Sequence, residues 1–216
     1  MNRFTKQMEE WAGNFGREYT GRNALSLDEM EQMYRKRYGV TRTEMNSIFF
    51  GNLDRDVKIL EVGSNIGNQL LCLQEAGFTQ LYGIDLQRYA VELSKSRTKG
   101  INLIQGSAFH IPFKDCFFDV VFTSGVLIHI SPEDIGKAID EIYRCSRRLV
   151  LGFEYYAADY TEINYRGHDN ILWKANYSRL YQERHEDLVL IKERFYKYTT
   201  DENVDAMFVL GKVSPV

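Results

Sequence analysis

Residues 57–154 alternate short apolar runs with amphipathic stretches, and this alternation limits the folds open to the chain more than any other feature. Lys58-Ile59-Leu60-Glu61-Val62 ends at Gly63, and a helical stretch through Leu70, Leu71 and Leu73 stops at Gly77. Leu81 to Asp85 is a second run, followed by a helix carrying Tyr89, Val91 and Leu93 that Gly100 closes. Ile101 to Gln105, Phe118 to Thr123 and Arg148 to Phe153 supply three further strands. Between the last two, Ser131-Pro132-Glu133-Asp134 starts a helix with an N-cap hydroxyl and first-turn proline and carboxylates. Its buried stripe is Ile135, Ala138, Ile139, Ile142 and Tyr143. Strands that alternate with helices require a parallel sheet covered on both faces.

The flanks differ in character. Residues 1–56 read as a helical lid: Ser26-Leu27-Asp28-Glu29 and Thr41-Arg42-Thr43-Glu44 are capping boxes, each followed by an apolar stripe. Met8, Trp11, Ala12 and Phe15 fit a further amphipathic helix. At the other end, Leu188 to Tyr198 and Asp205 to Lys212 have no helix between them and predict an antiparallel hairpin at one sheet edge. The division is therefore 1–56 and 57–216, with an insertion near 155–186.

A chain of 216 residues gives one domain with an appendage. Hydrophobic residues make up 44% and charged ones 26%, which excludes wholesale disorder. No uncharged apolar run approaches the roughly 18 residues that cross a bilayer, and the charged N-terminus has no secretory apolar region. Cys72, Cys116 and Cys145 lack zinc spacing and read as reduced core thiols, so a cytoplasmic protein without metal is expected. A net charge of -3 without a basic stripe argues against a nucleic-acid partner.

In a doubly wound sheet, ligands bind beyond the carboxyl ends of the strands, near the reversal of strand order. The first such loop, Glu61-Val62-Gly63-Ser64-Asn65-Ile66-Gly67-Asn68, has two glycines but carries Asn65 where a dinucleotide fingerprint has its middle glycine. Taken alone, it is equally a plain strand-to-helix turn. Asp85 ends the next strand, where a carboxylate accepts from both ribose hydroxyls of an adenosine or caps the following helix.

Gly106-Ser107-Ala108-Phe109-His110-Ile111-Pro112-Phe113, then Phe118-Asp119-Val120-Val121-Phe122, then Ser124-Gly125-Val126-Leu127-Ile128-His129-Ile130, resemble the ordered motifs of class I S-adenosylmethionine-dependent methyltransferases. The resemblance spans residues 57–154. It implies a Rossmann-like, doubly wound α/β fold with a seven-stranded mixed sheet, and S-adenosylmethionine as cofactor. It places Gly63 and the backbone around Ser64 and Asn65 at the methionine part, Asp85 on the ribose, Leu86 against the adenine and Ser107 and Ala108 at its edge, with Glu61, Gly67 and Ser124 among the cofactor-binding residues. Ser107 stands where the family often has an aspartate for the adenine amine.

Further segments, Phe15-Gly16-Arg17-Glu18-Tyr19-Thr20-Gly21-Arg22-Asn23, Tyr143-Arg144-Cys145-Ser146, Glu154-Tyr155-Tyr156 and Tyr165-Arg166-Gly167-His168, are similar to methylases found with pseudaminic-acid biosynthesis genes. That resemblance implies a small polar acceptor, a sugar or nucleotide-sugar intermediate. The strand Asp205-Ala206-Met207-Phe208-Val209-Leu210 departs from that group, which has a more aromatic one.

A hydroxyl or ammonium acceptor must lose a proton, so bases are sought near the cofactor loops. His129 is one candidate, or it orders its loop through a hydrogen bond. Glu154, at the end of the fifth strand, faces the acceptor in this architecture. His168 is a further candidate base. Tyr155 and Tyr156 offer stacking faces, and Arg166 a fork for a carboxylate or phosphate. Tyr19 and Arg22 are expected to turn from the lid towards the methionine carboxylate.

The reading is a monomeric or homodimeric methyltransferase acting on a small molecule, away from membranes and nucleic acids. The rivals are a nicotinamide-dependent oxidoreductase, which the incomplete glycine fingerprint disfavours, and a cofactor-binding, non-catalytic partner subunit.

Overall fold

The computed structural model describes residues 5–165, 167 and 169–213. Four helices come first: α1 (Lys6–Ala12), α2 (Asn14–Arg22), α3 (Leu27–Tyr38) and α4 (Arg42–Phe50). Both expected capping boxes form, Ser26 with Glu29 and Thr41 with Glu44, each side chain reaching the other's backbone N–H. Gly39 closes α3 in the left-handed conformation.

The alternating region gives β1 (Lys58–Val62), α5 (Asn68–Glu75), β2 (Gln80–Asp85), α6 (Arg88–Arg97), β3 (Asn102–Gln105), β4 (Phe118–Ser124), α7 (Ile135–Cys145) and β5 (Ser146–Tyr155). The last segment holds a small ribbon of β6 (Thr161–Glu162) with β7 (Trp173–Lys174), then α8 (Tyr177–Arg184), β8 (Leu188–Lys197) and β9 (Val204–Lys212). The sequence did not announce α8: its apolar positions are tyrosines and one leucine among charged residues. The regular part of α7 starts four residues after Ser131, whose carbonyl accepts from the N–H groups of Asp134 and Ile135 in a leading turn.

Seven strands form one sheet in the order β3-β2-β1-β4-β5-β9-β8. The first five are parallel and the last two antiparallel, so the sheet is mixed, as expected. β9 lies inside the sheet and β8 forms its edge. Chain order reverses between β1 and β4, which puts the topological switch point between the loops that follow these two strands.

Two apolar layers sandwich the sheet. One joins α7 and α8 to the strands through Ile135, Ile139, Ile142, Tyr177 and Tyr181. The other contains Met30 and Tyr34 of α3, Met45, Phe49 and Phe50 of α4, and Leu70 and Leu73 of α5. Helices α3 and α4 therefore belong to the core layer, and within residues 5–56 it is α1 and α2 that lie over the loops. Of the cysteines, Cys72 and Cys145 are buried, whereas Cys116, expected in the core, is exposed in a turn at φ 52°. Among the described residues, no helix is long and apolar enough to cross a membrane, and no cluster of metal-ligating side chains forms.

Candidate active site

A cavity of about 340 Å³ opens beyond the carboxyl ends of the parallel strands, within the range of small-molecule sites. The loop after β1 forms one wall. Gly63, at φ +75°, lies so close to the loop after β4 that a Cβ would stand 2.4 Å from Val126 Cγ2. Asn65 takes φ 44°, so it supplies the left-handed turn expected of a glycine, a conformation asparagine tolerates. Its N–H donates to Asp85 Oδ2 at 2.7 Å, and Gln87 N–H donates to Oδ1 at 2.8 Å. Burial raises the Asp85 pKa, while these two hydrogen bonds oppose the rise.

Gly67 is not part of the cavity wall. At φ +80° it caps α5 against α6, where a Cβ would meet Ser94 Oγ at 2.7 Å. Its smallness serves helix packing rather than ligand approach. Leu86, Ser107, Ala108 and Ser124 line the cavity beside Glu61, Gly63, Ser64, Asn65 and Asp85. Ser107 Oγ accepts from Phe109 N–H, leaving its hydroxyl proton free to donate.

The cover comes from α1 and α2. Trp11 lies 4.2 Å from the His129 ring, centroid to centroid, and 5.2 Å from Tyr19. Gln87 ties this cover to the loop after β2, its Nε2 donating to the carbonyls of Ala12 and Gly13 at 2.9 and 3.0 Å. Tyr19 lines the cavity, and burial raises its pKa. Arg22 does not: it turns to Glu18, 3.6 Å away on the same helix face.

His129 lines the cavity as well. Its Nδ1 is 2.9 Å from the Ile171 carbonyl, which only accepts, so Nδ1 carries the proton and Nε2 keeps the lone pair. Burial lowers its pKa to about 4, so the ring is neutral at physiological pH. Both proposed roles are thus geometrically combined: the ring orders its loop and retains an acceptor nitrogen.

Glu154 is a correction. Its carboxylate does not face the cavity; it is 1% exposed and accepts from Val126 N–H (3.0 and 3.2 Å) and Ile128 N–H (3.4 Å). Side chains alternate along β5, so Tyr155 takes the cavity side, while Glu154 turns into the core and clamps the loop after β4. Burial raises its pKa to about 7. Tyr156 also misses the cavity and meets Phe195 of β8 at 4.7 Å. Arg166 and His168 lie outside the described residues; their neighbour Tyr165 lines the cavity.

The sequence reading passed over several wall residues: Tyr34, Arg37, Tyr38, Phe153 and Asp205. Behind them, Arg42 is fully buried, with Nε donating to Asn46 and NH1 to Tyr34 Oη, and its guanidinium 4.8 Å from the Phe153 ring. Its charge lowers the pKa of buried Glu61, which desolvation pushes up more strongly. The spacing of Arg42 and Asn46, one helical turn apart on the face that carries Met45 and Phe49, was the available signal for Arg42.

Residues 60–149 match a family model described as a methyltransferase domain. Over 95 residues the chain is 26% identical to a phosphoethanolamine N-methyltransferase of Plasmodium falciparum, covering 43% of this chain and 36% of that one. The chain spans about half or less of the length of the curated relatives it matches. Among solved structures, it superposes on magnesium protoporphyrin IX methyltransferase of Synechocystis with bound S-adenosylmethionine (TM-score 0.69, 11% identity, 99% of this chain and 100% of that one). It also superposes on the 1,6-didemethyltoxoflavin-N1-methyltransferase of Burkholderia thailandensis (TM-score 0.68, 12% identity, 92% and 85%).

The cavity wall independently suits such a cofactor. Trp11 Nε1, Glu61 Oε2, Ser64 Oγ, Asn65 Oδ1 and Gln69 Oε1 are buried without hydrogen-bond partners among the described residues, and all five residues line it. Buried polar atoms are rarely left unpaired unless a ligand or water completes them. The matched residues 60–149 run from β1 to β5, and the chain has the fold of the methyltransferases on which it superposes.

Proposed function

We propose that this protein transfers a methyl group from S-adenosylmethionine to a small polar acceptor, a sugar or nucleotide-sugar intermediate of surface-polysaccharide or pseudaminic-acid-type synthesis. The observation that carries the methyltransferase reading is Asp85, fixed by the N–H groups of Asn65 and Gln87 at the edge of the cavity. The sugar-like acceptor is supported by the sequence resemblance and by the polar, aromatic far wall of the cavity.

Asp85 would hold the ribose hydroxyls, Leu86 and Ala108 the faces of the adenine, and Ser107 its edge. Glu61, Ser64 and Asn65 would receive the methionine end. When bound, the sulfonium supplies an electrophilic methyl group whose transfer neutralises charge. The chain's own contribution is chiefly alignment in a site shielded from water, where orientation supplies several kcal/mol. Trp11 and Tyr19 exclude solvent from above. His129, neutral and with Nε2 unprotonated, can take a proton from an acceptor hydroxyl or ammonium.

Calorimetric titration with S-adenosylhomocysteine tests the reading. Micromolar binding that Asp85→Ala weakens strongly supports it; no binding by the native chain removes it. Tight cofactor binding with no transfer to nucleotide-activated or acidic sugars would instead favour a partner subunit without catalysis of its own.

A further inference from the structure

The far wall of the cavity carries a second set of polar groups that the cofactor-side residues leave unused. Asp205 opens β9 opposite Tyr155 of β5 and is 2% exposed. Its Oδ2 accepts from Tyr38 Oη at 2.5 Å and from Tyr198 Oη at 3.3 Å. Its other oxygen, Oδ1, is buried without a partner among the described residues. A carboxylate with one oxygen engaged by two phenols and the other bare is a costly arrangement unless a donor completes it.

Beside it stands Arg37 of α3, which also lines the cavity. Its guanidinium lies 5.9 Å from the Tyr38 ring centroid and 5.3 Å from that of Tyr198. The Arg37 carbonyl accepts from Thr199 N–H at 2.8 Å, which ties α3 to the turn between β8 and β9. Among the described residues it forms no ion pair with a carboxylate. Tyr155, Phe153 and Tyr38 supply the ring faces of the same wall.

We propose that Arg37, Tyr38, Tyr155 and Asp205 form the acceptor subsite, and that it takes small molecules bearing a hydroxyl or ammonium donor beside a carboxylate or phosphate. The proposal rests on the methyltransferase reading and adds the acceptor's chemistry to it. Asp205 Oδ1 receives the donor, and Arg37 receives the anion through its planar fork. A site built to pair a donor rejects analogues that lack it, because its own buried group is then left unpaired. An acidic sugar and a phosphorylated amine share this chemistry. Burial raises the Asp205 pKa to about 6, and the groups that face it, the phenols of Tyr38 and Tyr198 and the charges of Arg37 and Lys174, oppose the rise.

The test is calorimetry on the full chain saturated with S-adenosylhomocysteine. N-acetylneuraminate is compared with the neutral N-acetylmannosamine, and phosphoethanolamine with ethanolamine, which lacks the anion. At least one anion-bearing probe should bind tenfold or more tightly than its comparison compound, and which arm responds identifies the source. Asp205→Asn and Arg37→Gln should each weaken that probe tenfold or more, with S-adenosylhomocysteine affinity changed less than twofold. Tyr38→Phe, which keeps the ring and removes one donor to Asp205, guards against misfolding and should weaken the probe severalfold. Equal binding of both members of each pair, no binding of either anion-bearing probe, or indifference to all three substitutions overturns the proposal. Failure of the native chain to bind S-adenosylhomocysteine would instead overturn the methyltransferase reading, and this proposal with it.

Discussion

The backbone N–H of Asn65 donates to Asp85 Oδ2 at 2.7 Å, joining the loop after β1 to the end of β2 across the cavity rim. Gln87 donates to the other oxygen, so the carboxylate is oriented before any ligand arrives. Its remaining lone pairs are what a ribose diol would use. Asp85→Ala should therefore weaken S-adenosylhomocysteine by about ten- to a hundredfold, about 1.5–3 kcal/mol for lost bonds to a charged acceptor. Calorimetry checks this; an unchanged Kd places the adenosine elsewhere.

Gly63 combines φ +75° with a Cβ position 2.4 Å from Val126 Cγ2. Left-handed strain of roughly 1–2 kcal/mol adds to a clash between the two loops that meet at the switch point. Gly63→Ala should lower Tm by about 4–8 °C for a chain of this size and also weaken cofactor binding. Asn65→Gly, at φ 44°, should leave Tm within about 2 °C, because glycine adopts that conformation without strain. Calorimetric melts of both variants decide the matter.

Arg42 and Glu61 are both buried, and the Arg42 charge opposes the rise that burial imposes on the Glu61 pKa. Removing Arg42 takes away that opposing charge and leaves Asn46 Oδ1 without its donor. Arg42→Met should cost about 3–5 kcal/mol, and Arg42→Met with Glu61→Gln clearly less than the sum of the single changes. Denaturant unfolding of the four proteins measures the coupling; strict additivity would show the two groups to be independent.

Burial lifts the Glu154 pKa to about 7, above its unfolded value near 4.3. Between these values the folded protein binds more protons than the unfolded chain, so this group's contribution to stability falls as pH rises from about 4.5 to 7. Glu154→Gln removes the titration. Relative to the variant, the native protein should lose up to about 3 kcal/mol between pH 5 and pH 8. Parallel unfolding curves at the two pH values would refute this.

His129 works in the opposite direction. Its pKa falls to about 4 from an unfolded value near 6.5, so the unfolded chain takes up the proton first as pH drops. Stability from this ring is complete above about pH 6.5 and is lost as pH falls towards 4. His129→Phe should flatten that acid loss in unfolding experiments. If Nε2 serves as the base, the same variant should lower the transfer rate by about 10²–10⁴-fold without changing S-adenosylhomocysteine affinity.

Particular residues show where reading the sequence succeeded. The place of Gly63, Asn65 and Asp85 beside the cavity was legible because strand ends followed by turn residues fix position in an alternating fold. The two capping boxes were legible for the same reason: their hydrogen bonds close within four residues. Glu154 was misplaced because its direction depends on which face of β5 meets the loop after β4, a matter of strand pairing. Gly67 was misread because its neighbour, Ser94, is contributed by α6.

The sequence by itself determined the alternation, the switch-point loops and the two-strand addition at the sheet edge, since each follows from periodicity and turn chemistry over a short span. The tertiary structure alone decided the far wall. Arg37 of α3, Tyr155 of β5 and Asp205 of β9 converge only when α3 is tied to the β8–β9 turn and β9 inserts beside β5. Contacts between residues so distant along the chain are set by the packing of layers, and no local pattern encodes them.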